Sequence, residues 1–148
     1  MKILNYITVI ILLVLNSVVF FNGCTHKEPQ KKLQEESTQI IKDVSLGEFQ
    51  ALIKKYENNE NAVLLDVRRP EEFADEHIKN AENLDYYSDI FEENLAKLDK
   101  NKIYLVYCRS GNRSGKTLKI MQEMNFIQAY NLLGGIIEWK ARKLPLVK

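Results

Sequence analysis

Cysteine, histidine and any surplus of charge are all scarce in this chain. Its 148 residues hold two cysteines and two histidines, with 21 basic residues against 20 acidic ones. Two cysteines cannot supply the disulfide framework that staples a small exported domain. The one pairing open, Cys24 with Cys108, would require the N-terminal segment to fold back onto the domain. His26 stands in a polar stretch without a second ligand nearby, so no metal site is expected there. Met1–Gly23 contains one basic residue, Lys2, and no acidic one, which leaves 20 residues of each sign in the remainder. A neutral chain with interspersed charges lacks the basic stripe that nucleic-acid binding needs. There is no internal repeat, and the length suits one domain.

Long apolar runs are missing too, with one exception at the N-terminus. From Ile7 to Phe21 nearly every residue is apolar, and Gly23 directly precedes Cys24. This is a bacterial export signal in outline. Phe21-Asn22-Gly23-Cys24 resembles a lipobox, which implies cleavage before Cys24 and a diacylglyceryl group on its thiol. It departs from that motif at Phe21 and Asn22, where an aliphatic and a small residue are usual. The competing expectation is an uncleaved signal anchor over Ile3–Phe21. Either one tethers the protein to a membrane, facing the periplasm or the cell exterior. The expected organisation is a signal peptide at 1–23, a flexible polar tether at 24–39 and a folded domain at 40–148.

Within that domain the periodicity alternates between strand and helix. Ile40, Ile41 and Val44 suggest a short strand, and Ser45-Leu46-Gly47-Glu48 has the spacing of a capping box. Leu46, Phe49, Leu52, Ile53 and Tyr56 fall on one helical face. Ala62–Val67 and Ile103–Tyr107 are continuous apolar runs of strand length, as buried parallel strands require. Pro70 suits the first turn of a short helix through Phe73. Phe91, Leu95 and Leu98 mark another helix, a further one is expected from Ser114, and a last strand spans Ile127–Leu132 before a short helix around Trp139. The pattern predicts an α/β fold, with a mostly parallel central sheet and helices on both faces.

The chemistry concentrates in Cys108-Arg109-Ser110-Gly111-Asn112-Arg113, a polar loop between a buried strand and a helix. Strand, loop and helix in that order direct backbone N–H groups at an anion. A thiol placed there is expected to be acidified by the helix N-terminus, the loop amides, and the charges of Arg109 and Arg113. Cys108 then becomes a nucleophilic thiolate at neutral pH. Gly111 lets the backbone curl where a Cβ would obstruct it.

This loop resembles the active-site loop of single-domain rhodaneses, and the likeness extends over most of 44–147. Leu65-Asp66-Val67-Arg68, followed by Glu71-Glu72-Phe73 and His77-Ile78, is similar to the N-terminal signature of that family. Gly134-Gly135-Ile136-Ile137-Glu138-Trp139, with Leu144-Pro145 after it, resembles the C-terminal one. The chain departs at Glu76, Asn80 and Lys143, three turn positions where glycine is frequent. The resemblance implies a rhodanese-like domain acting as a sulfurtransferase. In it Cys108 takes sulfur from thiosulfate or a persulfide donor and passes it to a thiophilic acceptor. Arg109, Ser110, Gly111, Asn112 and Arg113 would bind the anionic donor, Asp66 and Arg68 would support the loop, and no metal or organic cofactor is required. Two other readings stand beside this one. A cysteine phosphatase has five residues between nucleophile and arginine, whereas Cys108 and Arg113 enclose four, a narrower cradle that favours sulfur. A module of this fold could also bind partners or relay sulfur without turnover on small donors. His77 is expected to be structural and Trp139 to pack in the core, while Tyr86, Tyr87 and Tyr107 are candidates to line a pocket.

Overall fold

The computed structural model describes residues 39–148. Five strands, β1 (Ile40–Val44), β2 (Ala62–Asp66), β3 (Ala81–Asn83), β4 (Ile103–Tyr107) and β5 (Gln128–Leu132), form one sheet in the order β1-β5-β4-β2-β3. Every neighbouring pair is parallel. Helices α1 (Leu46–Tyr56), α2 (Pro70–Asp75), α3 (Phe91–Ala96), α4 (Asn112–Glu123) and α5 (Gly135–Ala141) connect or follow them. Parallel strands need crossovers, and the crossover helices cover both faces.

Strand residues alternate between two cores, as a period of two dictates. Tyr104, Val106 and Cys108 point with Leu65, Val67 and Ala129 toward Phe91 and Leu95 of α3 and Leu118 and Met121 of α4. Leu105 and Tyr107 point the other way with Val44, Tyr130 and Leu132, toward Phe49 of α1 and Ile136 and Trp139 of α5. Because β4 is central and covered on both faces, its run is apolar at every position. The loop after β4 therefore leaves the carboxyl end of the middle of the sheet, where α/β folds place their ligands.

Local signals behave as their chemistry requires. Ser45 caps α1, its Oγ accepting from the Glu48 N–H while the Glu48 carboxylate accepts from the Ser45 N–H at 2.9 Å. Such a box stabilises a helix by about 1 kcal/mol. Asn80 and Lys143, two of the departures from glycine, take left-handed φ values of 66° and 53°. The third, Glu76, is extended at φ −164°, a conformation open to any residue.

Several boundaries differ from expectation. The α2 helix runs to Asp75, two residues past Phe73, and β3 was not anticipated because three residues, Ala81-Glu82-Asn83, carry no period. The α4 helix starts at Asn112 rather than Ser114, because Gly111 at φ +89° acts as its N-cap. Asn112 and Arg113 therefore belong to its first turn. Gln39, the last residue of the expected tether, bonds the Gln122 and Phe126 carbonyls through its side chain. The export signal, Cys24 and the rest of the tether lie outside the described residues. Among the described residues no helix is long and apolar enough to cross a membrane.

Candidate active site

Cys108 follows β4 directly and is a free thiol, only 1% exposed. Its Sγ accepts hydrogen bonds from the Gly111 N–H at 3.2 Å and the Ser114 hydroxyl at 3.3 Å. Burial pushes the thiol pKa up, and the donors from Ser114, Ser110 and Gly111 together outweigh it, so the net shift is downward. The expected acidification is present, and two of its expected sources, the loop amides and the head of α4, supply it. Hydrogen bonds from the first turn of α4 and the loop amides lower the pKa, with neither arginine among the leading causes. A donor held in place stabilises the thiolate more directly than a charge shared with another partner.

That partner exists for Arg113. Its guanidinium forms a two-pronged pair with Glu72 of α2, at 2.7 and 3.0 Å, so its charge is already part-compensated. Pairing with Arg113, ahead of the opposing effect of burial, holds the Glu72 carboxyl below the usual glutamate range. Because the folded pKa is lowered, the stabilisation is full above the unfolded value of about 4.3 and disappears as pH falls through the folded one. Glu72→Gln is expected to lower stability by about 1 kcal/mol or less near neutrality, since the pair is partly solvated. Thermal melts of the two proteins from pH 7 to pH 2 should converge below pH 4. Equal melting temperatures at pH 7 would mean that the pair contributes nothing.

A cavity of about 540 Å³ opens above the loop, lined by Arg69, Glu72, Tyr87, Arg109, Ser110, Asn112 and Arg113. Arg109 and Ser110 are exposed at its rim. Tyr87, 56% exposed, receives the Arg69 and Arg113 guanidinium groups over its ring, 4.9 and 5.5 Å from the centroid. Of the three tyrosines expected as pocket candidates, Tyr87 alone lines this cavity. Tyr86 packs against Phe91, and Tyr107 is buried with its hydroxyl accepting from the Ile78 N–H. A second, more apolar cavity of about 390 Å³ lies on the α1 and α5 face, away from the loop.

Asp66 and Arg68 are buried and bond each other through contacts of 2.6–3.0 Å. Arg68 also donates to the Glu76 carbonyl at 2.7 Å, at the end of α2. None of these bonds reaches 108–113; they end on α2, whose Glu72 bonds Arg113. His77 is structural as expected. Its ring stacks on Phe73 and bonds the Phe73 carbonyl, and its backbone pairs with Val147. Trp139 is buried and donates to the Pro145 carbonyl.

Three residues of the site escaped the sequence reading as participants. Ser114 was legible as a hydroxyl in the first turn after the cysteine loop. Arg69 was legible as a second cation beside Arg68. Gly135 had no such signal. The Ile136 and Ile137 N–H groups of α5 donate to the Cys108 and Arg109 carbonyls at 2.9 and 3.1 Å, which draws the Gly135 backbone against the loop. At φ +57°, a Cβ there would stand 2.5 Å from the Cys108 carbonyl oxygen.

The comparisons agree with this geometry. The Rhodanese-like domain profile matches residues 46–142. Thiosulfate sulfurtransferase GlpE of Coxiella burnetii is 36% identical over 102 residues, 69% of this chain and 90% of that protein. The crystal structure of a rhodanese-like domain protein from Staphylococcus aureus aligns with a TM-score of 0.55 and 31% identity, covering 66% of this chain and 90% of that one. That of a rhodanese-related protein from Thermoplasma volcanium aligns at 0.58 and 27%, covering 72% and 97%. With a buried, hydrogen-bonded cysteine at the head of α4 and this match over most of the folded residues, the chain belongs to the rhodanese-like domain family, which includes proteins named as sulfurtransferases.

Proposed function

We propose that the protein moves sulfane sulfur from thiosulfate or a persulfide donor to a thiophilic acceptor through a persulfide on Cys108. The observation that carries this is the pair of hydrogen bonds to a buried Sγ, from Gly111 and Ser114, beneath a cavity rimmed by arginines. The Cys108 thiolate attacks the outer sulfur of the donor and forms a new S–S bond. The donor's own S–S bond breaks, and its electron pair leaves with sulfite from thiosulfate or with a thiolate from a persulfide. An acceptor thiolate or similar nucleophile then attacks the outer sulfur of the persulfide, and that bond's electron pair returns to Cys108. The cycle is redox-neutral and requires no resident metal or organic cofactor.

Arg109 and Arg113, with the polar groups of Ser110, Gly111 and Asn112, bind the sulfonate end of the donor and stabilise the departing sulfite. The near-complete burial of Cys108 favours a donor that presents a single protruding sulfur atom over a bulkier centre. Asp66 and Arg68 support the loop at one remove, by fixing the end of α2 that presents Glu72 to Arg113. Met1–Gly23 directs export, and lipidation of Cys24 anchors the domain to the membrane. Changing Cys24 to Ala is expected to release the protein from the membrane fraction with sulfur transfer unchanged. Full retention would point to an uncleaved signal anchor instead.

The direct test is intact mass after incubation with thiosulfate and removal of excess donor. A gain equal to one sulfur atom, lost on adding cyanide or a small thiol, is the expected result. No gain from any sulfane donor, in a folded protein, would leave a binding module as the better account. Phosphomonoester hydrolysis that depends on Cys108 would overturn the preference for sulfur.

A further inference from the structure

Asn131 is an unusual residue for its place. It sits in the interior strand β5, 1% exposed, on the same face as Ala129 and the Cys108 core. Its Nδ2 donates to Asp43 Oδ1 at 2.7 Å and to the Gly111 carbonyl at 3.2 Å, while its Oδ1 has no partner among the described residues. A buried acceptor without a partner is destabilising, and an apolar residue would avoid that. The donor end must therefore do something worth that cost. Asp43 is its direct neighbour across the β1–β5 ladder, so the sheet register itself brings the carboxylate to the amide.

The group held is the backbone of Gly111, which has no Cβ to restrict it and stands at φ +89°. Its carbonyl is bound from two sides, by the Gly115 N–H of α4 at 3.0 Å and by Asn131. Its N–H donates to Cys108 Sγ. The two peptide planes flanking a glycine are linked only by its φ and ψ, so fixing the carbonyl restricts where the N–H can point. Gly115 leaves the space for this contact, since a Cβ there would lie 3.3 Å from Asn131 Nδ2.

We propose that Asn131 is a positioning residue for Cys108: its carboxamide, oriented by Asp43, pins the Gly111 carbonyl and so keeps the Gly111 N–H directed at Sγ. The inference rests on Cys108 being the working thiol, and it assigns a task to a strand residue outside the loop. The charged groups lining the cavity over that loop are Arg69, Glu72, Arg109 and Arg113, and Asp43 of β1 lies beyond Asn131.

The test is the pH dependence of iodoacetamide alkylation in the full-length protein, read by peptide mass at Cys108 so that Cys24 is followed separately. Asn131→Leu keeps the branched outline of the side chain with larger methyl groups, and it removes both the donor and the orphan acceptor, so its melting temperature is measured alongside. Its alkylation midpoint should move upward by about half a unit or more, the equivalent of one net hydrogen bond. Asn131→Ala should move the midpoint the same way, at lower stability. Asp43→Asn keeps an acceptor oxygen and Asp43→Ala does not, while both remove the negative charge, so the Asp43→Ala midpoint should lie above the Asp43→Asn one. Wild-type midpoints in both Asn131 variants would overturn the proposal and leave a purely structural residue, and equal midpoints in the two Asp43 variants would overturn the part given to Asp43. Alkylation involves no sulfur donor. A chain that shows the midpoint shift yet forms no persulfide would thus remove the sulfurtransferase reading and leave this one standing.

Discussion

Replacing Cys108 with serine is expected to abolish persulfide formation, with turnover on thiosulfate falling by at least about a thousandfold, or about 4 kcal/mol of transition-state stabilisation. A serine hydroxyl in this position stays protonated, because the donors that lower a thiol pKa cannot bring an alcohol into the neutral range. The loop itself should survive. Oγ can accept from the Gly111 N–H and Ser114 hydroxyl that now face Sγ at 3.2 and 3.3 Å, so the loss of stability should be about 1 kcal/mol. The contrast between lost chemistry and a retained fold is the diagnostic. Sulfur uptake by the serine variant, measured by intact mass, would place the persulfide elsewhere.

Gly135→Ala should have the second-largest effect, on the fold and the chemistry together. The new methyl would meet the Cys108 carbonyl oxygen at 2.5 Å and the Arg109 carbonyl carbon and oxygen at 2.6 Å, all backbone atoms that cannot swing aside. A left-handed φ of 57° adds about 1–2 kcal/mol for any residue with a Cβ. A total destabilisation of about 2–4 kcal/mol is expected. Relief of the clash would draw α5 off the Cys108 and Arg109 carbonyls, and displacement of a reacting group by about 1 Å can cost a hundredfold in rate. Thermal melts and single-turnover persulfide formation measure the two effects separately. Gly47→Ala is the matched control, because nothing lies within 4 Å of a Cβ there and α1 should gain up to about 1 kcal/mol in helix propensity. A Gly135→Ala protein with wild-type melting and rate would show that the close approach of α5 to the loop carries no weight.

The parallel α/β architecture was legible because its signals are local. Ile103–Tyr107 is apolar at every position, as a strand covered on both faces must be, and the Ser45–Glu48 box announces α1 by side-chain spacing alone. The cysteine loop was legible for the same reason, since thiol, glycine and arginine are contiguous. Where local signals fail, so did the reading. Three residues of β3 carry no period, and the N-terminus of α4 depends on the left-handed turn at Gly111, which moves two loop residues into the helix. The electrostatic account changed most. Sequence places Arg113 five positions from Cys108 and suggests that its charge acts on the thiol, but Glu72, 41 residues away, takes up its donors.

Sequence by itself determined the α/β fold of the described residues, the single cysteine among them, and the contiguous thiol, glycine and arginines of the loop. It also determined the signal-like N-terminus, which follows from an apolar run and one cysteine. Tertiary structure decided what surrounds that thiol: the Ser114 hydroxyl at Sγ, the Glu72 partner for Arg113, the close packing of Gly135, and the Asp43–Asn131 contact with Gly111. The reason is physical. Periodicity and loop chemistry are properties of neighbours along the chain, whereas a hydrogen bond between β5 and the loop, or between α2 and α4, exists only once the parallel sheet has brought distant segments to one edge.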